Sequence, residues 1–107
     1  AYDMIKMATI GSARAIGWAD EIGSLEVGKK ADLIVVSTDS PAMTPSLANI
    51  NNLVFSGCGR DVDTVMIDGR FVMKNRKMLF VDEKEILTRA TQTAQRVAEE
   101  TGVLHLI

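Results

Sequence analysis

Two runs with strand character, Val62 to Ile67 and Arg70 to Lys74, are separated only by Asp68-Gly69. An Asp-Gly pair between such runs is a strong hairpin signal, because a type I′ turn needs positive φ at both central residues. The two-residue loop also sets the register: Ile67 opposite Arg70, Met66 opposite Phe71 and Val65 opposite Val72. Whatever else the chain folds into must accommodate this antiparallel pair. With 107 residues the chain has room for one small domain or a piece of one. A complete (β/α)8 barrel, at roughly 200 residues or more, is excluded. The chain begins at Ala1, not Met, so processing or excision from something longer is expected.

The hairpin has predicted neighbours on both sides. Met4, Met7, Ala8, Gly11, Ala15 and Trp18 recur at spacings of three and four, which predicts a helix presenting one apolar face. Gly11 on that face would allow a close neighbour, and Gly17 is its expected stop. Leu33 to Val36 is a continuous apolar run, read as a strand buried on both faces. Residues 37 to 61 hold Pro41 and Pro45 and read as a connector, with a short helical turn near Ser46 to Asn51 and an apolar anchor at Leu53-Val54-Phe55. Gly57-Cys58-Gly59 closes it. After the hairpin, a second turn at Asn75-Arg76 leads to a short strand, Met78 to Val81. Asp82 then caps a final helix, with Glu85 placed to return the bond. Ile86, Ala90, Thr93, Ala94, Val97 and Thr101 share one face of that helix, and Gly102 stops it. Glu85 and Arg89 can pair at i,i+4, worth about 0.3–0.5 kcal/mol. The fold class is α+β.

Composition closes several functional routes. Twelve Lys and Arg against 14 Asp and Glu give a net charge of -2, so no basic excess points to nucleic acid. No run of about 18 apolar residues is present, and no membrane span is expected. No secretory signal is visible, and Cys58 has no second Cys to pair with, which fits a reducing cytosol. One His and one Cys cannot build a metal site needing several such ligands.

Several features bear on chemistry. Gly23 to Lys29 has the Gly, four residues, Gly-Lys spacing of a phosphate-binding loop. Lys30 stands where Ser or Thr should hold Mg²⁺, and a strand follows where a helix should open, so two turn glycines with Leu25 between them explain it better. Asp32 is then expected to accept hydrogen bonds from nearby turn amides. His105 is alone near the C-terminus and reads as a packing or surface residue. Cys58 has no activating base in its own element and reads as structural or incidental. Asp61, Asp63 and Asp68 flank the hairpin without Ca²⁺-loop spacing and read as a solvated face. The six methionines read as core gap-fillers. No catalytic, cofactor-binding or metal-binding residue is expected in this chain.

Longer blocks carry a resemblance. Ala8-Thr9-Ile10-Gly11-Ser12-Ala13-Arg14-Ala15-Ile16-Gly17, then Gly23-Ser24-Leu25-Glu26-Val27-Gly28-Lys29-Lys30-Ala31-Asp32-Leu33, then Asn52-Leu53-Val54-Phe55 with Asp61-Val62-Asp63-Thr64-Val65-Met66-Ile67-Asp68-Gly69-Arg70 occur in one order, and Val81-Asp82-Glu83 follows. From Met7 to Leu79 the chain resembles the C-terminal end of metal-dependent amidohydrolases, in the branch of methylthioadenosine/S-adenosylhomocysteine deaminases and triazine hydrolases. It departs from the branch at Pro41-Ala42-Met43-Thr44-Pro45, where a His often stands between the prolines.

The resemblance implies a division of the chain. Residues 1–19 would be the closing helix of a (β/α)8 barrel. Residues 20–81 would be part of a small β-sandwich, with connector 37–61, and residues 82–107 a helix and tail. It implies a parent enzyme that hydrolyses a C–N or C–halide bond on a purine- or triazine-like substrate, with one divalent metal ion (Zn or Fe) whose ligands lie upstream. This chain would supply scaffold, and its partner would be the missing N-terminal portion. The bare sheet edges left behind predict self-association. The alternative is a stand-alone, non-enzymatic structural or assembly module.

Overall fold

The computed structural model describes residues 1–103. Its elements run α1 (Tyr2–Lys6), a π-turn (Met7–Gly11), α2 (Ser12–Ala15), β1 (Leu33–Val36), a 3-10 turn (Pro41–Met43), α3 (Asn49–Phe55), a second 3-10 turn (Gly59–Asp61), β2 (Val62–Ile67), β3 (Arg70–Lys74), β4 (Lys77–Met78) and α4 (Glu83–Thr101). The strands form one antiparallel sheet of four, in the order β1-β2-β3-β4.

The hairpin forms where its turn chemistry requires. Asp68 and Gly69 take φ of 49° and 75°, and Ile67 pairs with Arg70 and Met66 with Phe71. One position further the expected register fails. Val65 pairs with Met73, not Val72, because the pairing slips between Val65 and Met66. A turn fixes only the residues beside it, and a bulge resets the remainder. Asn75 and Arg76, at φ 49° and 61°, make the second turn. Its return strand is shorter and earlier than expected: Lys77–Met78 instead of Met78 to Val81.

The first helical stretch holds a surprise of geometry. Its middle turn is widened to π, and the Ser12 hydroxyl donates to the Met7 carbonyl at 2.7 Å. A Cβ on Gly11 would lie 3.0 Å from the Lys6 carbonyl oxygen, so this glycine serves the wide turn and not a neighbouring element. The buried face also differs from expectation. Met4, Met7 and Trp18 are exposed, while Ala13 is buried and Ile5 and Ile10 are half-buried. The extra residue in the π-turn breaks the three-and-four spacing on which the predicted stripe depends. Gly17, at φ 77°, ends the helix with Trp18 N–H on Ala13 O at 2.8 Å and Gly17 N–H on Arg14 O at 3.2 Å.

The glycine that allows close approach is Gly23. A Cβ there would sit 2.7 Å from Ala13 Cβ and 2.9 Å from Ile10 Cα, and its φ is 89°. The loop therefore lies directly on the first helix. Two more expectations are corrected. β1 is an edge strand, with Ile34 and Val35 about half exposed, and is not buried on both faces. The connector contains a seven-residue helix, α3, later than the turn expected near Ser46 to Asn51. Asn52 on α3 holds the segment before it, donating from Nδ2 to Met43 O and Pro45 O, both at 2.9 Å. Met43, whose carbonyl is one of these acceptors, is the most deeply buried large side chain among the described residues.

Little else is buried. Ala13, Met43 and Ala98 are the only fully buried apolar residues among those described. The radius of gyration is 18.6 Å, against about 13 Å for a compact chain of this length. The accessible surface is 8455 Å², against about 5,800 Å² for a compact protein of this mass. The fold is thus a set of well-formed elements around a thin core.

Candidate functional site

The densest polar cluster is the loop Gly23 to Asp32. Lys29 lies at its centre, with only 14% of its side chain exposed. Its ammonium donates to Ala19 O at 2.6 Å and Ser24 Oγ at 2.7 Å, and lies 3.4 Å from Glu26 Oε1. Ser24 in turn donates to the Glu26 carboxylate. Ser24, and after it Lys29, hold the Glu26 carboxyl below the usual carboxylate range. Lys30 points elsewhere, to Glu21 Oε2 at 3.2 Å, and Glu21 raises its pKa, with smaller help from Asp68 and Asp32.

This geometry explains the phosphate-loop spacing. The lysine that would meet a phosphate has its donors turned inward, onto the Ala19 carbonyl and onto a hydroxyl and a carboxylate of its own loop. That network ties the end of the first helical stretch to the Gly23 turn, which itself rests on Ala13. Gly28, at φ 94° with open space where a Cβ would stand, supplies the turn between them.

Asp32 does accept a turn amide, but from a distant turn. Its Oδ1 takes the Asp68 N–H at 2.7 Å, across 36 residues, and Gly69 N–H donates to Ala31 O at 3.1 Å. The loop thereby clamps the tip of the hairpin.

Asp61 corrects the reading of a solvated acidic face. It is 3% exposed, and its carboxylate accepts the Cys58 N–H at 2.8 Å in a reciprocal cap on the Gly59–Asp61 turn. The neighbouring Ser40 hydroxyl, then the Cys58 amide, hold its carboxyl below the usual range against the opposing effect of burial. The Ser40 oxygen is buried without a bond of good hydrogen-bonding geometry, so the Cys58 amide at 2.8 Å is the firmer anchor. The spacing Cys-x-x-Asp before a strand is a capping signal that the sequence does carry. Asp63 accepts from the Thr64 hydroxyl at 2.8 Å, and Asp68 is exposed at the hairpin tip. Cys58 is an exposed free thiol. His105 lies outside the described residues.

Between the first helix and the sheet runs an open groove of about 670 Å³, lined by Ile16, Ile22, Leu33, Ile34, Val65 and Ile67 among others. It is apolar and presents no convergent acid, base or nucleophile. Among the described residues, no three His, Cys, Asp or Glu side chains are grouped to hold a metal ion. No helix among them is long and apolar enough to cross a membrane. What this cluster does chemically is hold a helix, a loop and a hairpin together.

The same arrangement of helices and sheet occurs within solved hydrolases. An adenosine deaminase from Xanthomonas campestris with bound zinc superposes at a TM-score of 0.82 and 32% identity, over 89% of this chain and 22% of that one. An atrazine chlorohydrolase from Arthrobacter aurescens complexed with zinc follows at 0.75 and 25% identity, over 85% of this chain and 20% of that one. The chain belongs to the amidohydrolase family, whose model matches residues 1–72. Among its relatives, a 5-methylthioadenosine/S-adenosylhomocysteine deaminase from Desulforudis audaxviator is 44% identical over 96 residues, 90% of this chain and 22% of the relative. A 5'-deoxyadenosine deaminase from Methanobrevibacter smithii is 42% identical over 98 residues, 91% of this chain and 22% of the relative. The chain therefore spans about a fifth of the length of these proteins. Zinc is bound by the two solved relatives, and the described residues here offer no ligand set for such an ion.

Proposed function

We propose that this chain is the C-terminal scaffold of an amidohydrolase that deaminates a purine nucleoside derivative, in the manner of 5'-deoxyadenosine or 5-methylthioadenosine. The observation that carries the reading is identity of 44% and 42% to two such deaminases across nine-tenths of the chain. The triazine hydrolases, at 25%, make C–halide hydrolysis the less favoured chemistry. In the favoured reaction water adds to the amino-bearing ring carbon, ammonia leaves, and a carbonyl remains. No residue of this chain is assigned to that step. A divalent metal, zinc or iron, would be held by the remainder of the enzyme, in the cytoplasm.

On this reading residues 1–19 close a (β/α)8 barrel, residues 20–81 form part of a small β-sandwich, and residues 82–107 pack back on the assembly. The exposed Met4 and Met7 would meet the rest of the barrel. Large exposed apolar surface of this kind marks an interaction site. The Lys29 network and the Asp32 clamp then act as braces that hold the closing helix to the sandwich.

The test compares the 107-residue chain with the product of the whole reading frame that contains it. Ammonia release from 5'-deoxyadenosine and 5-methylthioadenosine is followed for both. Turnover only by the longer product is expected. Multiple turnovers by the short chain, or a reading frame that encodes nothing ahead of Ala1, would overturn the proposal.

A further inference from the structure

We infer that Asp68-Gly69 is a latent site of succinimide formation and isoaspartate conversion, held unreactive by the bonds that Ala31 and Asp32 make to the two turn amides. Every residue it uses lies in this chain, and it does not depend on the family reading.

Asp68-Gly69 is the only place in the sequence where Asp or Asn precedes glycine. Ring closure brings the Gly69 nitrogen onto Asp68 Cγ, and a residue without Cβ leaves that nitrogen unhindered. Asp68 is exposed at the hairpin tip, and a Cβ on Gly69 would meet nothing within 4 Å. Sequence and exposure therefore mark the pair as reactive.

The clamp opposes that reaction. Gly69 N–H donates to Ala31 O at 3.1 Å, so the nitrogen that must lose its proton and turn on its own side chain is committed to the segment before β1. Asp68 N–H donates to Asp32 Oδ1 at 2.7 Å, a charge-assisted bond of the stronger kind. Together they hold the turn at φ 49° and 75°. Conversion has to wait for the turn to open, so its rate is that of the unrestrained chain multiplied by the open fraction.

The chemistry needs no reagent but water. The Gly69 nitrogen bonds to Asp68 Cγ, and the carboxyl hydroxyl leaves as water with the amide proton. Water then adds at the former main-chain carbonyl carbon of Asp68, and the original Asp68 C–Gly69 N bond breaks. The chain now runs through Cβ and Cγ at unchanged mass, with one more main-chain carbon in the turn. That longer link does not fit a two-residue type I′ turn, so conversion undoes the clamp that suppressed it.

The experiment incubates the 107-residue chain at neutral pH, with and without denaturing urea. Isoaspartate is read by isoaspartyl methyltransferase labelling and in the tryptic peptide Asp61–Arg70, as a retention shift at unchanged mass located by fragmentation. Conversion at Asp68 is expected to be at least about tenfold slower without urea. Asp32→Ala removes a charged acceptor and is expected to raise the rate without urea about tenfold or more, leaving the rate in urea unchanged. If that variant fails to fold by circular dichroism, hydrogen exchange at Asp68 and Gly69 in the unaltered chain decides: both amides are expected to be protected, and conversion to quicken with their exchange as urea is raised. Equal rates with and without urea overturn the inference. So does a folded Asp32→Ala that converts no faster than the unaltered chain, or slow conversion while both amides exchange freely.

Discussion

The loop-and-sheet region and the C-terminal helix are built on opposite principles. Between Ala13 and Met78, separate segments hold one another: Lys29 on Ala19 and Ser24, Asp32 on Asp68, Gly23 against Ala13. α4 is held by itself. Asp82 accepts the Glu85 N–H at 3.1 Å, and Val103 N–H reaches Ala98 O at 3.1 Å past Gly102 at φ 68°. Arg89 lies 3.9 Å from Glu85, and Arg96 lies 3.3 Å from Glu100. The return bond expected from Glu85 to the Asp82 amide is not made, and one good cap suffices. Along its 19 residues only Ala98 is buried. Ile86, Ala90, Thr93, Ala94 and Val97 line an open face. A helix can thus be fully specified locally and still contribute almost nothing to a shared core. Most helical stability in proteins comes from packing an amphipathic face rather than from local propensity.

The strongest challenge to this contrast is at Gly23. Gly23→Ala forces a methyl into the Ala13 and Ile10 contact at positive φ and should cost about 3 kcal/mol in urea unfolding. Gly28→Ala meets open space and should cost only the strain of its φ, about 1–2 kcal/mol. Equal losses would mean that the loop is not pressed against the helix.

Lys29→Met comes next. It strips the Ala19 carbonyl and Ser24 hydroxyl of a buried donor and should cost about 1–3 kcal/mol. Lys30→Met breaks an exposed pair and should leave the unfolding midpoint within error. Reversal of that ranking would remove the brace from the account.

Asp82→Ala sharpens the contrast from the other side. Loss of the cap should cost α4 about 1 kcal/mol. Hydrogen exchange should quicken at its first turn while protection in β2 and β3 stays unchanged. Loosening of the sheet in step with α4 would show that the two regions are coupled after all.

The smallest effect is expected in acid. The Asp61 carboxyl is depressed in the folded chain, so its contribution is full above the unfolded carboxylate value, about 3.9, and is lost as pH falls through the lower folded value. Asp61→Asn should flatten that part of the stability–pH curve. An unchanged acid limb in the variant would assign the acid sensitivity to other groups.

How much was legible from residues alone follows the reach of each interaction. The bounds of β1, β2 and β3, the turns at Asp68-Gly69 and Asn75-Arg76, and the cap and stop of α4 are all written within a few residues of where they act. Positive φ, a capping carboxylate and a missing Cβ are local properties, and so the sequence by itself determined them. Blocks of residues in a fixed order likewise identified the family. The sheet register beyond Met66, the buried face of the first helix, the 36-residue reach of Asp32 and the inward turn of Lys29 were decided only in three dimensions. Each depends on which distant backbone group arrives beside it, and a π-turn or a bulge of one residue is enough to redirect every side chain that follows.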